Sequence, residues 1–226
     1  MELEIRELQK RYGKKQVLRK VSLTAGEGKC TGIIGANGCG KSTLLRVLAG
    51  VEKADDGEIF LGGKQIENPS RQMAKYAGYI PQESALMPEL TVADNLKLWA
   101  SFGNYKENGR RLESLCVQFK IKEFCKERVK NLSGGMEKRV NIVCALLHGP
   151  MVLLMDEPSA ALDLVFKQEL KTYIREFVQK GGSILLSSHD EGELALCHSL
   201  WAIKEGVAHK VPEGLSIEEI SEKYIG

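Results

Sequence analysis

The stretch Gly35-Ala-Asn-Gly-Cys-Gly-Lys-Ser-Thr43 decides the fold of this chain. It fits the pattern G-x-x-x-x-G-K-[ST], in which glycines allow backbone conformations that a Cβ would block, so that several N–H groups converge on one anion. The Lys41 ammonium can reach the β- and γ-phosphates of a nucleotide, and the Ser42 hydroxyl can bind Mg²⁺. We therefore predict a nucleotide phosphate site in this loop.

The sequence on both sides of the loop supports this prediction. Residues 29–34 form an apolar run typical of a short strand that leads into the loop. Residues 41–49 have apolar side chains around most of a helical circumference, as in a buried helix, and Gly50 is a suitable residue to end it. The positive end of this helix would face the bound phosphates.

Composition and charge limit the classes of protein to consider. A chain of 226 residues can form one large α/β domain or a core with an inserted subdomain. The net charge of +2, with both signs mixed along the chain, gives no reason to expect a nucleic acid partner. The six cysteines, at positions 30, 39, 116, 125, 144 and 197, lack metal-ligand spacing, so we expect reduced thiols in a cytosolic protein.

Neither a signal peptide nor a membrane span is expected. The first six residues are too charged for a signal peptide. The longest stretch without Lys, Arg, Asp or Glu is residues 140–155, and His-Gly-Pro at 148–150 interrupts it. An interrupted run of this length is too short to cross a bilayer as one helix.

The periodicity of the chain changes twice. Strand-like segments occupy 2–8, 17–24, 57–61 and 77–81, whereas residues 91–147 have helical spacing, interrupted at 131–135 before a long helix from 136 to about 147. Apolar strands return at 151–155 and 183–187, with a helix at 166–180 between them, followed by a hairpin over 200–211 and a short polar helix at 217–224. This order predicts an α/β core with an antiparallel β portion, formed by 1–84 and 149–226, and an inserted helical subdomain over 85–148.

Polar residues or loops follow four of the predicted strands, and we call them the four polar signals. They are the Lys41 loop, Gln82, the pair Asp156-Glu157 and His189. Ligands of an open parallel sheet bind outside the carboxyl ends of its strands. We therefore expect these four signals to belong to one site.

Taken together, these residues resemble the nucleotide-binding ATPase subunit of an ATP-binding cassette (ABC) transporter, over about residues 2–210. The resemblance rests on seven elements in the family's order, namely Tyr12, the phosphate loop 35–43, Gln82, the signature LSGGM at 132–136, the Walker B strand VLLMDEP at 152–158, the D-loop SAALD at 159–163 and the switch histidine His189. It implies a phosphate-loop NTPase (RecA-like) core that binds ATP and Mg²⁺ and hydrolyses ATP.

The resemblance also implies a role for individual residues. Tyr12 would stack on the adenine ring. Glu157 would polarise or deprotonate the attacking water, and His189 would hydrogen-bond the γ-phosphate. The remaining assignments are to catalysis for Lys41 and Gln82, to the metal for Ser42, Gln82 and Asp156, and to the nucleotide for Gly35, Asn37, Gly38, Cys39, Gly40, Lys41, Ser42 and Thr43.

The signature residues Ser133, Gly134 and Gly135 precede a second helix start. Taken alone, Ser133 is a helix N-cap. In the family the same atoms bind the γ-phosphate of the nucleotide held by another subunit. Residue 136 is usually glutamine in the family and is Met136 here, which removes an amide but leaves the serine hydroxyl and the backbone donors.

The resemblance further implies partners and a location. The expected partners are integral membrane permease subunits and either a second copy, in a head-to-tail dimer closed on two ATP molecules, or a paralogous ATPase subunit. The chain would lie on the cytoplasmic face of the cell membrane. The run from Met136 to His148 resembles exporter cassettes, which favours export. The alternative is a soluble ABC-type ATPase that serves a non-membrane assembly machine. A small phosphate-loop kinase or GTPase is disfavoured, because the chain lacks the Asn-Lys-x-Asp motif of a GTPase and a kinase would not need Ser133-Gly-Gly or His189.

Overall fold

The computed structural model describes residues 1–101 and 105–225. The predicted helical subdomain therefore contains three residues, 102–104, that lie outside the described residues, and residue 226 of the predicted core does so too. In the described residues, ten strands form two sheets. The strands of the antiparallel sheet are β1 (Leu3–Tyr12), β2 (Lys15–Ala25), β4 (Asp56–Leu61) and β5 (Lys64–Gln65), in the order β2-β1-β4-β5.

The second sheet is mainly parallel. Its strands are β3 (Cys30–Ile34), β6 (Ala77–Ile80), β7 (Val152–Asp156), β8 (Ser183–Ser187), β9 (Ser199–Lys204) and β10 (Val207–Lys210), in the order β10-β9-β3-β8-β7-β6. Only the β9–β10 pair is antiparallel among the described strands of this sheet. Every residue of β3, β7 and β8 is buried, because helices or the other sheet cover both faces, and this explains their unbroken apolar sequences.

Eight α-helices complete the described part of the chain. They are α1 (Lys41–Leu48), α2 (Pro69–Tyr76), α3 (Val92–Ser101), α4 (Tyr105–Gln118), α5 (Gly134–Leu146), α6 (Leu164–Gln179), α7 (Glu191–Leu194) and α8 (Ile217–Ile220). Two 3₁₀ turns, Lys122–Phe124 and Val129–Asn131, lie between α4 and α5, and a π-helical turn, Ser221–Ile225, follows α8. Within these described residues, no helix is both long and apolar enough to cross a membrane.

Side chains alternate across the parallel sheet and so enter two hydrophobic clusters. Val152 and Leu154 of β7 pack with α1 and the antiparallel sheet. Leu153 and Met155 pack with α6 and with the helices of residues 85–148, called the helical block below. The cluster that contains Leu153 and Met155 is continuous from the sheet into residues 85–148. The boundaries of the helical subdomain therefore remain a prediction.

Most predicted elements occur at the predicted places, with shifted ends. The helix predicted from residue 136 begins at Gly134, because Ser133 caps it by accepting a hydrogen bond from Met136 N at 3.3 Å. The helix predicted from residue 166 begins at Leu164, because Asp163 caps it by accepting from Phe166 N at 2.9 Å. Three elements were not predicted, namely α2, α7 and β5.

The short helix predicted over 217–224 is confirmed, and its type changes along its length. The α-helix ends at Ile220 and continues as the π-helical turn. Helix α2 escaped prediction because it is polar and buries only Met73. Its start is nevertheless encoded locally, since Asn68 accepts a hydrogen bond from Arg71 N and Pro69 occupies the first turn.

Candidate active site

The four polar signals lie at one edge of the parallel sheet. Strands β3, β8, β7 and β6 are consecutive neighbours and all parallel, so their carboxyl ends point the same way. Beyond these ends lie the phosphate loop, His189, the pair Asp156-Glu157 and Gln82. The sheet therefore brings together the segments that the sequence analysis grouped into one site.

The phosphate loop requires glycine at specific positions. Gly35 has φ = +148°, and a Cβ there would lie 2.4 Å from the carbonyl oxygen of Ile203 on β9. Gly40 caps α1 with φ = +116°, which L-residues with a side chain rarely adopt. A Cβ at Gly38, with φ = +77°, would meet nothing within 4 Å. The loop therefore packs closely against β9 at Gly35 and leaves open space at Gly38.

Lys41 is a buried cation at the start of α1. Its residue is only 7% exposed, and its Nζ donates hydrogen bonds to Gly35 O at 2.6 Å and Ala36 O at 3.2 Å. Both partners are neutral carbonyls of its own loop. A buried charge is stabilised mainly by an opposite charge, so an ammonium at the positive end of a helix fits an anionic ligand such as a phosphate chain.

The carboxylates of Asp156 and Glu157 contact different partners. Asp156 is 2% exposed and accepts a hydrogen bond from Ser187 Oγ at 2.5 Å. Glu157 has φ = +46°, an uncommon conformation for a residue other than glycine, and its N–H donates to Ser187 O at 3.0 Å. Its Oε1 lies 3.8 Å from His189 Nε2. The two adjacent carboxylates therefore have different neighbours, Ser187 and His189.

Gln82 and Asp156 line one large cavity. The cavity has a volume of about 750 Å³ and lies between the sheet edge and the helical block, where Trp99 and Val51 also line it. Carboxylate, hydroxyl and amide oxygens are the ligands that Mg²⁺ prefers. The donor set of Ser42, Asp156 and Gln82 therefore fits this ion.

Tyr12 is tied to the phosphate helix through two charged side chains. Its hydroxyl donates to Glu52 Oε2, Arg46 Nε lies 2.5 Å from Glu52 Oε1, and Arg46 Nη2 donates to Thr43 Oγ1 at 3.4 Å. Burial raises the pKa of Glu52, but the hydrogen bonds from Tyr12 and Arg46 outweigh burial and hold this pKa below its ordinary value. The carboxylate therefore stays charged and holds both partners.

A small cavity of about 210 Å³ adjoins the phosphate loop at Gly38 and Cys39. Val17 and Lys15 of β2 also line it, and Tyr12 does not. The structure thus links Tyr12 to the phosphate helix without bringing it into this cavity. Adenine stacking by Tyr12 remains a prediction.

The signature residues line a cavity separate from the two described above. Ser133, Gly134 and Gly135 line about 520 Å³ together with Ala161 and Asp163. A Cβ at Gly135 would lie 2.9 Å from Ala161 O, so glycine lets the start of α5 approach the D-loop. Within one chain, the second helix start therefore opens to a different cavity from those lined by the phosphate loop and by Gln82.

Comparison with known proteins agrees with this geometry. A family model described as ABC transporter matches residues 18–160, more than half of the chain. This chain belongs to the ABC transporter family. A solved structure described as the ATP binding subunit of an ABC transporter superposes with a TM-score of 0.84 and is 29% identical, covering 99% of this chain and 93% of that one. The phosphate-loop NTPase fold predicted from the sequence is confirmed.

Two relatives of this ABC cassette have names that differ in transport direction. One, a Nod factor export ATP-binding protein I from Paraburkholderia xenovorans, is 35% identical over 224 residues, covering 96% of this chain and 73% of the relative. Another, an Fe(3+) ions import ATP-binding protein from Mesorhizobium japonicum, is 35% identical over 195 residues, covering 84% of this chain and 54% of the relative. The first relative, of which this chain covers more than two thirds, supports the family membership. The direction of transport is shown by neither.

Three buried polar residues of the cassette were missed by sequence reasoning. Ser187 bonds Asp156, as described above. Glu193 is 1% exposed and accepts from Ser188 Oγ, and burial raises its pKa. Lys138 is 6% exposed, and its Nζ donates to Pro81 O at 2.7 Å and Asp156 O at 3.4 Å. A serine in a strand or a lysine in a helix is ordinary, so only proximity to recognised motifs could have signalled these residues.

Proposed function

We propose that this chain is the ATP-hydrolysing subunit of an ABC transporter that drives export through separate membrane subunits. The observation that carries the proposal is the convergence of the Lys41 loop, Gln82, Asp156-Glu157 and His189 at one edge of the sheet. These groups match the needs of phosphoryl transfer to water, which are anion binding, metal binding and activation of a nucleophile.

In this proposal the phosphate loop holds the triphosphate. Backbone N–H groups from Gly35 to Thr43 and the Lys41 ammonium bind the phosphate oxygens, and Tyr12 stacks on the adenine. Mg²⁺, held by Ser42, Asp156 and Gln82, would neutralise charge on the phosphates. The buried, carbonyl-bound state of Lys41 supports this role, because its charge has no acidic partner in the described part of the chain.

Glu157 is proposed as the group that accepts a proton from the attacking water. Its carboxylate is partly exposed and lies beside His189. His189 is proposed to hydrogen-bond the γ-phosphate. Its Nε2 lies 3.8 Å from the Glu157 carboxylate, so both side chains can contact the same small group.

Ser133, Gly134 and Gly135 are proposed to bind the nucleotide of another subunit. They open to a cavity apart from the phosphate loop of their own chain. A second copy, or a paralogous ATPase, arranged head to tail would bring this helix start to that nucleotide. One nucleotide would then contact two helix N-termini from two chains.

The cavity of about 750 Å³ is proposed as the docking site for an integral membrane permease. It is lined by Gln82, so a partner seated there would sense the nucleotide site. Exposed apolar side chains at its rim, including Val51 at 63% exposure, favour a protein partner. Because the ATP that the cassette would use is a cytoplasmic solute, the proposal places the chain on the cytoplasmic face of that membrane.

Export is favoured over import by the extent of the match. The match to the export relative covers 96% of this chain and 73% of that relative, whereas the match to the import relative covers 84% of this chain and 54% of that relative. Direction can be tested in inverted membrane vesicles that contain the permease. ATP-driven accumulation of a solute inside them indicates export, and ATP-driven release from preloaded vesicles indicates import.

The partner can be tested with a matched pair of surface variants. Tagged wild-type chain, Val51→Glu and Val117→Glu are recovered from detergent-solubilised native membranes. The two valines are similarly exposed, at 63% and 58%, but only Val51 lines the cavity. We expect wild type and Val117→Glu to retain an integral membrane protein that Val51→Glu loses. Equal retention by both variants would contradict docking in this cavity, and recovery with a soluble complex alone would favour the non-membrane ATPase.

A further inference from the structure

Lys138 contacts two loops of the candidate active site at once. It lies on α5, one turn beyond the signature glycines, and it is 6% exposed. Its Nζ donates to the carbonyl oxygens of Pro81 at 2.7 Å and Asp156 at 3.4 Å. These carbonyls belong to the residues immediately before Gln82 and Glu157.

The two carbonyls that Lys138 bonds belong to the peptide units that lead into Gln82 and Glu157. A carbonyl and the N–H that follows it belong to one planar peptide unit, so a bond to the oxygen fixes the orientation of the whole unit. The units held here join Pro81 to Gln82 and Asp156 to Glu157. We infer that Lys138 is a positioning residue, whose ammonium sets the backbone that carries Gln82 and Glu157. This inference rests on the proposed ATPase function.

Burial of the Lys138 ammonium costs free energy. Both hydrogen-bond partners are neutral, and burial lowers the pKa of Lys138 to about 8, although Asp156, Glu157 and Glu193 act in the opposite direction. An apolar side chain would avoid this cost, but it could not hold two separate carbonyls. An ammonium offers three donors from a single atom, which suits two acceptors on different loops.

Lys138 also connects these loops to the signature. Helix α5 begins at Gly134, and Ser133 caps it. Because a helix is rigid over a single turn, displacement of its start displaces Lys138 as well. The contact therefore relates the position of Ser133 to the positions of Gln82 and Glu157.

The test compares variants that remove or retain the donors. Lys138→Met keeps a long unbranched side chain without donors, whereas Lys138→Gln and Lys138→Arg keep N–H groups. Lys97→Met, at an exposed lysine of the same helical block, is the control. We expect kcat for Mg-ATP to fall roughly 10- to 100-fold in Lys138→Met, since a misplacement of about 1 Å can cost ~10²-fold. The dissociation constant of a fluorescent ATP analogue should stay within about threefold of wild type.

At least one of the two polar variants should recover kcat several-fold over Lys138→Met. If both fold and turn over as slowly as Lys138→Met, or if Lys138→Met has wild-type kcat, the inference is overturned. If Lys138→Met does not fold, kcat of Lys138→Gln and Lys138→Arg is compared with wild type instead. Altered donor geometry should lower kcat in at least one of them, and wild-type kcat in both overturns the inference.

Hydrogen–deuterium exchange separates this inference from the proposed function. Peptides that cover residues 81–86 and 156–161 should exchange faster in Lys138→Met than in wild type and Lys97→Met, with or without ATPase activity. Unchanged exchange in both peptides overturns the positioning role. Absence of ATPase activity in the wild-type chain, with faster exchange in the variant, would instead overturn the proposed function alone.

Discussion

His189 Nε2 lies 3.8 Å from Glu157 Oε1 at the ends of neighbouring parallel strands. This separation exceeds a hydrogen bond, and it leaves space for one oxygen atom that bonds to both side chains. A water molecule is such an atom, because it can donate one hydrogen bond to the carboxylate and make a second one with the imidazole. The pair therefore forms the centre of the proposed site.

Glu157→Gln should abolish turnover while ATP still binds. The amide has nearly the same shape as the carboxylate but cannot accept the proton, and loss of a general base costs about 10²–10⁴-fold. Phosphate release measures turnover, and size-exclusion chromatography with ATP should show an accumulated dimer. Glu213→Gln, at an exposed glutamate elsewhere, should behave as wild type. Wild-type turnover by Glu157→Gln would remove this residue from the mechanism.

Two inactive variants should restore activity when mixed. Lys41→Ala and Ser133→Arg each damage both sites of a homodimer if every nucleotide contacts Lys41 of one copy and Ser133 of the other. In a mixed dimer one site combines both lesions, and the other combines intact Lys41 with intact Ser133. ATPase rate plotted against mixing ratio should therefore peak near equal amounts. No recovery, with mixed dimers demonstrated by tagged pull-down, would argue for a site within one chain or for dependence on two intact sites.

Cys39 should be protected from alkylation by Mg-ATP. Its thiol is partly exposed inside the phosphate loop and lines the small cavity there, so bound phosphates should block access. Peptide mass spectrometry after brief alkylation measures labelling at each cysteine. Cys125, also partly exposed but in the helical block, is the internal control and should label equally with and without ATP. Equal labelling of Cys39 in both conditions counts against protection.

Tyr12→Leu should weaken ATP binding more than Tyr12→Phe. Stacking of a base on an aromatic ring contributes about 1–3 kcal/mol, which corresponds to roughly 5- to 150-fold in the dissociation constant. Tyr12→Phe keeps the ring and loses only the bond to Glu52. Isothermal titration with a non-hydrolysable ATP analogue gives both constants. Similar affinity for all three proteins would show that residue 12 does not stack on the base.

The stability of the wild-type chain should rise with pH relative to Lys138→Met. The pKa of Lys138 is lowered from 10.5 to about 8 in the folded protein. Between these values the unfolded chain holds the proton and the folded chain has lost it, so the free energy of unfolding increases with pH through this range. At 1.36 kcal/mol per pKa unit, the full change is roughly 3 kcal/mol.

Urea unfolding at pH 7.5 to 10.5 measures this difference in the free energy of unfolding. Burial raises the pKa of Tyr79, but this shift is common to both proteins and cancels in the difference. Lys97→Met should track the wild type throughout. A difference between wild type and Lys138→Met that does not change with pH would show that the Lys138 pKa is not lowered.

The elements found from sequence have local signals. Strands β7 and β8 are unbroken apolar runs, and the phosphate loop combines glycines at positive φ with the apolar helix α1. Periodicity could not reveal α2, which buries only one residue, nor β5, which has two residues. The only local signal for α2 is its capping sequence at Asn68 and Pro69, and β5 is defined by its pairing with β4.

The sequence by itself determined the phosphate loop, the buried strands and the polar residues that follow them, because backbone geometry and burial leave marks within a few neighbouring residues. Only the tertiary structure decided that Lys138 bonds Pro81 and Asp156, and that Tyr12 bonds Glu52. These partners are separated by 57, 18 and 40 positions along the chain. Hydrogen bonds of this kind arise from the packing of distant elements, so no local pattern can encode them.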